Sequence, residues 1–234
     1  MSKESIGIIG AMAEEVELLH QAMEQTETVR KAGISYTQGR FQDRPVVVCK
    51  SGVGKVNAAV CTQVLIDAFG VDAVVFTGVA GAVDPALEIG DIVVSTECLQ
   101  HDIDVTALGY ERGIIPYQEV SVFTADKELS EQAYETSREL FPGKTKWGRI
   151  LSGDQFIADR AKVAELHKVM GGACTEMEGA AVAQVCHMNE VPFVVIRAMS
   201  DKADGSASVN FPEFTKQASE NSYRIVEGLL ARLG

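Results

Sequence analysis

Lys55-Val-Asn-Ala-Ala-Val-Cys-Thr-Gln-Val-Leu-Ile-Asp-Ala-Phe69, followed by Gly70 and then Ala73-Val-Val-Phe-Thr77, is the stretch that decides the fold class. Its first part has the apolar spacing of an amphipathic helix, and a glycine after the last periodic residue is a common helix end. Ala73–Thr77 is apolar and rich in β-branched residues, as in a strand buried on both faces. Pro45–Lys50 precedes the helix as another strand. The stretch therefore predicts a strand–helix–strand unit with a right-handed crossover.

The same alternation of short apolar runs and helical patterns continues in both directions. We predict further strands at Ser5–Gly10, Ile34–Gln38, Asp91–Thr96, Gly148–Leu151, Ala173–Glu176 and Pro192–Met199. We predict further helices at Ala13–Met23, Lys127–Leu140, Asp159–Met170, Gly179–Met188 and Asn210–Leu233. Leu99–Phe123 has no clean period and is expected to be a long functional loop. With no linker or repeat, residues 1–234 are expected to form one α/β domain, a central mixed twisted β-sheet with helices on both faces.

Composition excludes several classes of function. The chain has 234 residues and a formal charge of −12, without a Lys-Arg cluster, which disfavours nucleic-acid binding. No segment approaches the ~20 apolar residues of a membrane span, and the N-terminus does not have the pattern of a signal peptide. The five cysteines include no C-x-x-C pair and mostly lie in apolar runs. They are expected to be buried thiols in a reducing compartment, so we predict a cytoplasmic protein that takes small molecules.

Ligands of open α/β sheets bind beyond the carboxyl ends of strands. That rule selects six short segments that follow predicted strands: Ala11–Glu15, Ser51–Lys55, Gly78–Gly81, Ser152–Ile157, Met177–Gly179 and Ser200–Asp204. Several of them carry carboxylates, so the expected pocket is acidic.

Three glycine- or histidine-containing motifs do not fit well-known ligand sites. Gly7-Ile-Ile-Gly10 lacks the G-x-G-x-x-G spacing of a dinucleotide site. Ser51-Gly-Val-Gly-Lys55 is followed by Val56 where a P-loop has Ser or Thr. His101-Asp-Ile-Asp104 is a weak metal motif, and a solvated or partner-facing loop is the better interpretation.

Two other motifs carry chemistry. Glu176-Met-Glu178 lies where a strand gives way to a helix, so its carboxylates either accept sugar hydroxyls or cap the helix N-terminus. Arg197 lies in an otherwise apolar strand and needs a carboxylate partner, which we expect to be Glu176 on the neighbouring strand. Asp201 follows that strand and serves either in catalysis or in forming a turn.

Taken in order, these motifs resemble the bacterial 5′-methylthioadenosine/S-adenosylhomocysteine nucleosidases of the nucleoside phosphorylase superfamily. The resemblance covers nearly the whole chain. It is carried by Gly7-Ile-Ile-Gly-Ala-Met-Ala-Glu-Glu15, Lys50-Ser-Gly-Val-Gly-Lys-Val-Asn57, Thr77-Gly-Val-Ala-Gly81, Gly90-Asp-Ile-Val-Val-Ser95, His101-Asp-Ile-Asp-Val-Thr-Ala-Leu-Gly-Tyr110, Ser152-Gly-Asp-Gln-Phe-Ile157, Glu176-Met-Glu-Gly-Ala180 and Val195-Ile-Arg-Ala-Met-Ser-Asp201.

The resemblance implies a role for each of three carboxylates. Glu15 activates the attacking water, Glu178 holds ribose hydroxyls, and Asp201 protonates the purine base. It also implies that Phe156 stacks on adenine and that the backbone of Ile157 meets the base edge. The other residues expected at the substrate are Met12, Val53, Val79, Glu176, Met177, Arg197, Ser200, Ala203 and Phe211.

The family forms homodimers, so Val105, Leu108 and Pro116 are expected to contribute to the partner's pocket. Two positions depart from the family pattern: Val79 replaces a small hydroxyl residue, and Leu108 stands where an aromatic is often found.

The implied reaction is hydrolysis of the N-glycosidic bond of 5′-methylthioadenosine, S-adenosylhomocysteine and 5′-deoxyadenosine. Adenine leaves more readily when protonated, so Asp201 must be desolvated enough to hold a proton, while Glu15 should stay ionised. The route requires no metal or organic cofactor. Three alternatives stay open: a phosphate-dependent nucleoside phosphorylase, a hydrolase of an aminodeoxyfutalosine-like nucleoside, and a non-catalytic nucleoside-binding module.

Overall fold

The computed structural model describes residues 5–202 and 207–233, apart from the side chains of residues 207–213 and 215. In this part of the chain, the strands are β1 (Ile6–Gly10), β2 (Glu24–Lys31), β3 (Ile34–Phe41), β4 (Arg44–Lys50), β5 (Ala73–Ala82), β6 (Ile92–Gln100), β7 (Val122–Thr124), β8 (Thr145–Ser152), β9 (Gly172–Glu176) and β10 (Phe193–Asp201). The helices are α1 (Ala13–Ala22), α2 (Lys55–Phe69), α3 (Lys127–Leu140), α4 (Arg160–Met170), α5 (Gly179–Met188) and α6 (Ala207–Arg232), and Thr106–Leu108 form a 3₁₀ turn.

The strand–helix–strand unit predicted from the sequence is present, with one strand inserted into it. α2 joins β4 to β5, and Gly70 ends the helix in the left-handed region. β1 lies between these two strands and pairs parallel with both, so Ile8 faces Val48 on one side and Val75 on the other. The unit therefore forms the parallel centre of the sheet.

Beyond β5 the sheet closes on itself. β5 pairs parallel with β10, β10 pairs antiparallel with β6, and β6 pairs parallel with β8. β8 pairs parallel with β9, which returns to β5 by an antiparallel pairing of Gly81 with Thr175. The ends of β5 and β9 therefore meet, and their terminal residues reach one place although the strands run in opposite directions.

Helices cover both faces of the sheet, as predicted for this fold class. α2 and α5 pack together on one face, over a core that includes Phe76 and Val195. α1, α3 and α6 cover the other, over Ile8 and Ile196. The mixed sheet therefore lies between two helical layers.

Three features of the fold were not predicted. β2 lies in a segment with no apolar alternation and forms an exposed edge strand that pairs only with β3. β6 and β7 extend into the predicted loop Leu99–Phe123 from its two ends. The ring closure changes the neighbours of β9 and β10, which both pair with β5 and not with each other.

Within residues 5–202 and 207–233, no helix combines the length and the apolar character needed to cross a bilayer.

Candidate active site

A cavity of about 260 Å³ opens where the ends of β1, β5, β9 and β10 converge. All six segments selected by the carboxyl-end rule contribute to it. The lining residues are Ala11, Met12, Glu15, Val53, Val79, Ala80, Gly81, Gln155, Phe156, Ile157, Thr175, Glu176, Met177, Glu178, Ser200 and Asp201. Of these, only Thr175 and Glu176 lie outside the six segments, because they are the last residues of β9 and were assigned to the strand itself.

Glu15 lies in the first turn of α1 and is almost fully buried. Its Oε2 accepts hydrogen bonds from the backbone N–H groups of Ala11 (2.6 Å) and Met12 (2.9 Å), and its Oε1 accepts one from Val79 (3.1 Å). Burial raises the pKa of Glu15, while Arg197 and the three N–H donors oppose that rise. A raised pKa makes the carboxylate a stronger base than an exposed Glu.

Two glycines leave room for this carboxylate. A Cβ at Gly78 would lie 2.6 Å from Glu15 Oε1, and a Cβ at Gly10 would lie 2.9 Å from Glu15 Cβ. Sequence reasoning missed both functions. The position of Gly78 directly after the predicted strand Ala73–Thr77 is a signal that could have found it, because a carboxylate packed against a backbone requires a glycine there.

Glu178 immediately precedes α5 and faces the same cavity. Its Oε1 accepts a hydrogen bond of 2.7 Å from the backbone N–H of Gly54. Burial and the neighbouring Glu176 raise the pKa of Glu178 to about 8. With one N–H donor where Glu15 has three, Glu178 retains more capacity to accept hydrogen bonds from a ligand.

Glu176 lines the same cavity, and its carboxylate accepts hydrogen bonds from several protein donors. Its Oε2 pairs with Arg197 Nη2 at 2.6 Å, its Oε1 accepts from Ser152 Oγ, and both oxygens accept from Gly179 N–H. The expected ion pair is present, but its partners lie on strands that are not neighbours, because β5 separates β9 from β10 in the ring. Glu176 therefore joins the start of α5 to Arg197 through hydrogen bonds.

Arg197 was expected among the substrate-binding residues, and the structure places it behind the cavity wall. Its side chain is 1% exposed, and its guanidinium lies 4.0 Å from the ring centre of Phe76. Its Nη1 donates to the backbone carbonyls of Phe76 and Ile196. These contacts assign Arg197 to positioning Glu176.

Asp201 ends β10, is buried and belongs to the cavity lining. Ser200 Oγ donates a hydrogen bond of 2.8 Å to Asp201 Oδ1. The orienting role expected of Ser200 matches this geometry. Asp201, Glu15 and Glu178 therefore line one cavity, as the sequence analysis expected.

Apolar side chains complete the cavity. Met12, Val79, Ile157 and Met177 line it, and Phe156 lies at its edge with 56% of its surface exposed. Val53 lines it as well. Val79 supplies a backbone N–H to Glu15, so the departure from the family pattern leaves that donor in place.

The three residues expected at the partner's pocket are not part of this cavity in one chain. Val105, Leu108 and Pro116 are absent from its lining, and Leu108 is 69% exposed. Ala203 lies outside the described residues, as does the side chain of Phe211.

Comparison with known proteins identifies the family. The sequence profile of the Phosphorylase superfamily matches residues 5–231. A 5′-methylthioadenosine/S-adenosylhomocysteine nucleosidase of Pseudoalteromonas translucida is 41% identical over 230 residues, which are 98% of this chain and 97% of that protein. The chain belongs to this nucleosidase family.

Solved structures agree with the family assignment. The Neisseria meningitidis nucleosidase in complex with methylthio-immucillin-A is 40% identical and has a TM-score of 0.93, covering 98% of this chain and 99% of that one. The native futalosine hydrolase of Helicobacter pylori has the same TM-score at 32% identity, covering 98% of each chain. Members of the nucleosidase family and a futalosine hydrolase thus share this fold.

Proposed function

We propose that this chain hydrolyses the N-glycosidic bond of 5′-methylthioadenosine and S-adenosylhomocysteine, and also that of 5′-deoxyadenosine. The products are adenine and the 5-substituted ribose. Membership of the nucleosidase family supports the substrate class. The observation that carries the reaction type is a cavity in which three buried carboxylates of different bonding, Glu15, Glu178 and Asp201, face apolar walls.

Glu15 is the base that activates water. Positive charge builds on the sugar as the bond to adenine breaks, and a buried carboxylate both offsets this charge and accepts the proton of the attacking water. The backbone donors from Ala11, Met12 and Val79 hold the carboxylate in one orientation. Burial raises its pKa, and a base whose pKa is nearer to neutral pH is more effective.

Asp201 is the acid that protonates adenine. A purine that leaves as a neutral base requires a proton donor at its imidazole nitrogen. Asp201 is buried, and Ser200 fixes one of its oxygens. Phe156 and Ile157 line the same cavity and are the proposed contacts of the base.

Glu178 binds the ribose hydroxyls, with Met177 packed on the sugar. One carboxylate can accept two neighbouring hydroxyls, and Gly54 N–H leaves most of the acceptor capacity of Glu178 free for this purpose. Such hydroxyl donors favour the ionised carboxylate and therefore oppose the burial that raises its pKa. Ribose recognition and ionisation of Glu178 are thus coupled.

Water, and not phosphate, is the proposed nucleophile. A phosphorylase needs cationic side chains or free amides for its anion. No Lys, Arg or His occurs among the described residues that line the cavity, whereas four carboxylates do. An anion there would meet an acidic wall.

The 5′ substituent meets apolar walls. Met12 and Val53 are the proposed contacts of the alkylthio group. An aminodeoxyfutalosine-like nucleoside is the alternative substrate that the 32% identical futalosine hydrolase of the same fold favours. Adenine release from each candidate nucleoside distinguishes these substrates.

A homodimer completes the proposed pocket. Val56 (74% exposed), Leu108 (69%) and Phe156 (56%) expose large apolar surfaces, and Phe156 belongs to the cavity lining. A second copy that packs against these three side chains would bury them. It would also bring Val105, Leu108 and Pro116 to the partner's cavity. The free, buried cysteines suit a reducing compartment, and we propose a cytoplasmic location.

Adenine release from 5′-methylthioadenosine and S-adenosylhomocysteine tests the proposed function. We expect turnover by the wild type, and a loss of about 10²- to 10⁴-fold in Glu15→Gln and Asp201→Asn, as is typical when a positioned acid or base is removed. Asp201→Asn should also change the pH–rate profile. Nucleoside binding without adenine release would instead identify a non-catalytic binding module.

A further inference from the structure

Two motifs that fit no ligand site in the sequence, Ser51-Gly-Val-Gly-Lys55 and His101-Asp-Ile-Asp104, meet in the structure. Lys55 Nζ lies 2.6 Å from Asp102 Oδ1 and 2.9 Å from Gln100 Oε1. The other oxygen of Asp102 accepts a hydrogen bond of 2.9 Å from the backbone N–H of Asp154. The two motifs therefore form one connected set of contacts.

Asp154 closes the set. Its Oδ1 accepts a hydrogen bond of 2.8 Å from the backbone N–H of Lys55. Lys55 thus donates through its side chain to Asp102 and through its backbone to Asp154, while Asp154 donates through its backbone to Asp102. We call Lys55, Asp102 and Asp154 the clamp.

The clamp joins two segments that line the cavity. On one side, Lys55 follows Gly54, whose N–H holds Glu178 Oε1 at 2.7 Å. Gly54 has a φ of +98°, and a Cβ at this position would lie 3.2 Å from Asp154 Oδ1, so the turn fits closely against the clamp. On the other side, Asp154 precedes Gln155, Phe156 and Ile157, which are all in the cavity lining.

The charges of Lys55 and Asp102 within the clamp attract each other. The side chains of Lys55 and Asp102 are 18% and 16% exposed, so water screens their pairing only in part. Burial alone would raise the pKa of Asp102, but the hydrogen bonds from Lys55 and from Asp154 N–H lower it overall. The lowered pKa keeps Asp102 ionised at neutral pH.

We propose that Asp102 and Asp154, held by Lys55, are positioning residues that set the ribose-binding carboxylate Glu178 relative to the base-binding loop 155–157. This inference rests on the proposed function. A ligand that spans base and ribose needs both segments at a fixed separation, and the hydrogen bond from Lys55 N–H to Asp154 Oδ1 joins them directly. None of the clamp residues lines the cavity, so each acts through Glu178 or Phe156.

The test compares Asp154→Ala with Asp154→Asn. Asp154 is exposed, so its replacement should leave the fold intact. We expect the KM of Asp154→Ala for 5′-methylthioadenosine to rise about tenfold, the value of one ordinary hydrogen bond, with kcat lowered less than about threefold. Asp154→Asn keeps an oxygen that accepts from Lys55 N–H and should remain within about twofold of the wild type.

Asp102→Ala and the control Glu97→Ala complete the series. Because Asp102 and Asp154 act in one connected unit, the double variant should lose no more than the worse single variant. Glu97 forms a comparable, partly exposed ion pair with Arg149 outside the cavity lining, so Glu97→Ala should leave KM unchanged. A KM that rises equally in Glu97→Ala, or that stays unchanged in Asp154→Ala, overturns the inference.

Amide hydrogen exchange tests the clamp independently of any reaction. In Asp154→Ala, exchange should accelerate in peptides covering residues 52–57 and 153–157, and Glu97→Ala should not alter these peptides. Unchanged exchange rates in these peptides of Asp154→Ala overturn the inference about the clamp, even if the enzyme is active. Faster exchange in an enzyme that releases no adenine supports the clamp and contradicts only the proposed function.

Discussion

The four acidic residues of the cavity all carry a carboxyl group, but each has different hydrogen-bond or ion-pair partners. Glu15 accepts three backbone N–H groups, Glu178 accepts one, and Glu176 is paired with Arg197. Asp201 is oriented by a serine hydroxyl. Because their hydrogen-bond partners differ, we propose that the four side chains serve as base, hydroxyl acceptor, anchor and acid within one pocket.

Gly78→Ala should displace the carboxylate of Glu15 and leave the residue itself unchanged. The new Cβ would lie 2.6 Å from Glu15 Oε1, so the carboxylate must shift away from Val79 N–H. A misplacement of about 1 Å at a catalytic group costs on the order of 10²-fold in rate. Steady-state adenine release measures this loss. The control is Gly7→Ala, a β1 glycine whose Cβ would contact only apolar side chains at 3.2 Å or more, and equal activity in both variants would contradict the role of Gly78.

Glu178 should make the fold less stable as the pH rises. Burial and Glu176 raise its pKa from 4.5 to about 8, so in this window the folded state keeps a proton that the unfolded state has released. Stability falls with pH wherever the folded state binds more protons, from about pH 5 to about pH 8 here. Glu178→Gln removes this dependence. The Tm of the variant minus the Tm of the wild type should therefore be larger at pH 8 than at pH 5. The exposed Glu131→Gln is the control, and a Tm difference that is the same at both pH values contradicts the account.

At the scale of elements, the sequence was most informative where the local pattern and the tertiary structure agree. The predicted bounds of Lys55–Phe69, Lys127–Leu140 and Gly179–Met188 match α2, α3 and α5. β2 could not be found, because Glu24–Lys31 is polar on both faces and forms a strand only by pairing with β3. Edge strands of this kind are specified by their partner and not by their own periodicity.

The site was predictable to a similar extent. Carboxyl ends of strands locate every segment of the cavity, whereas the functions of individual side chains depend on contacts between distant segments. Arg197 and Glu176 were correctly paired, but the sequence does not show that β5 lies between their strands. The clamp was not predicted for the same reason. Lys55 N–H lies 2.8 Å from Asp154 Oδ1, but the two residues are 99 positions apart in the sequence, and no local pattern indicates such a contact.

Arg197→Leu should destabilise the ring of strands. The pair of Arg197 with Glu176 spans β10 and β9 across β5, and loss of the cation leaves a buried carboxylate without its counter-charge. Breaking such a pair typically costs about 3–5 kcal/mol. Denaturant unfolding measures the change. The control, Arg138→Ala, removes an exposed pair on α3 and should cost less than about 1 kcal/mol. A comparable loss in both variants would contradict the structural role of Arg197.

At the scale of the whole molecule, the exposed apolar side chains of Val56, Leu108 and Phe156 predict self-association. Light scattering in solution should give twice the mass of one chain. Val56→Glu places a charge at a residue that is 74% exposed, so it should shift the protein toward the monomer and lower adenine release. The control Val169→Glu, at a similarly exposed residue of α4, should remain dimeric. A wild type that is monomeric and fully active would contradict the completion of the pocket by a second copy.

The central claim is that water attacks the sugar in a cavity whose described lining residues include no Lys, Arg or His. Adenine release from 5′-methylthioadenosine in ¹⁸O-labelled water, with and without phosphate, tests it most directly. We predict equal rates in both conditions and one labelled oxygen at the anomeric position of the released sugar. Dependence of the rate on phosphate, with a sugar 1-phosphate as the product, would contradict the account.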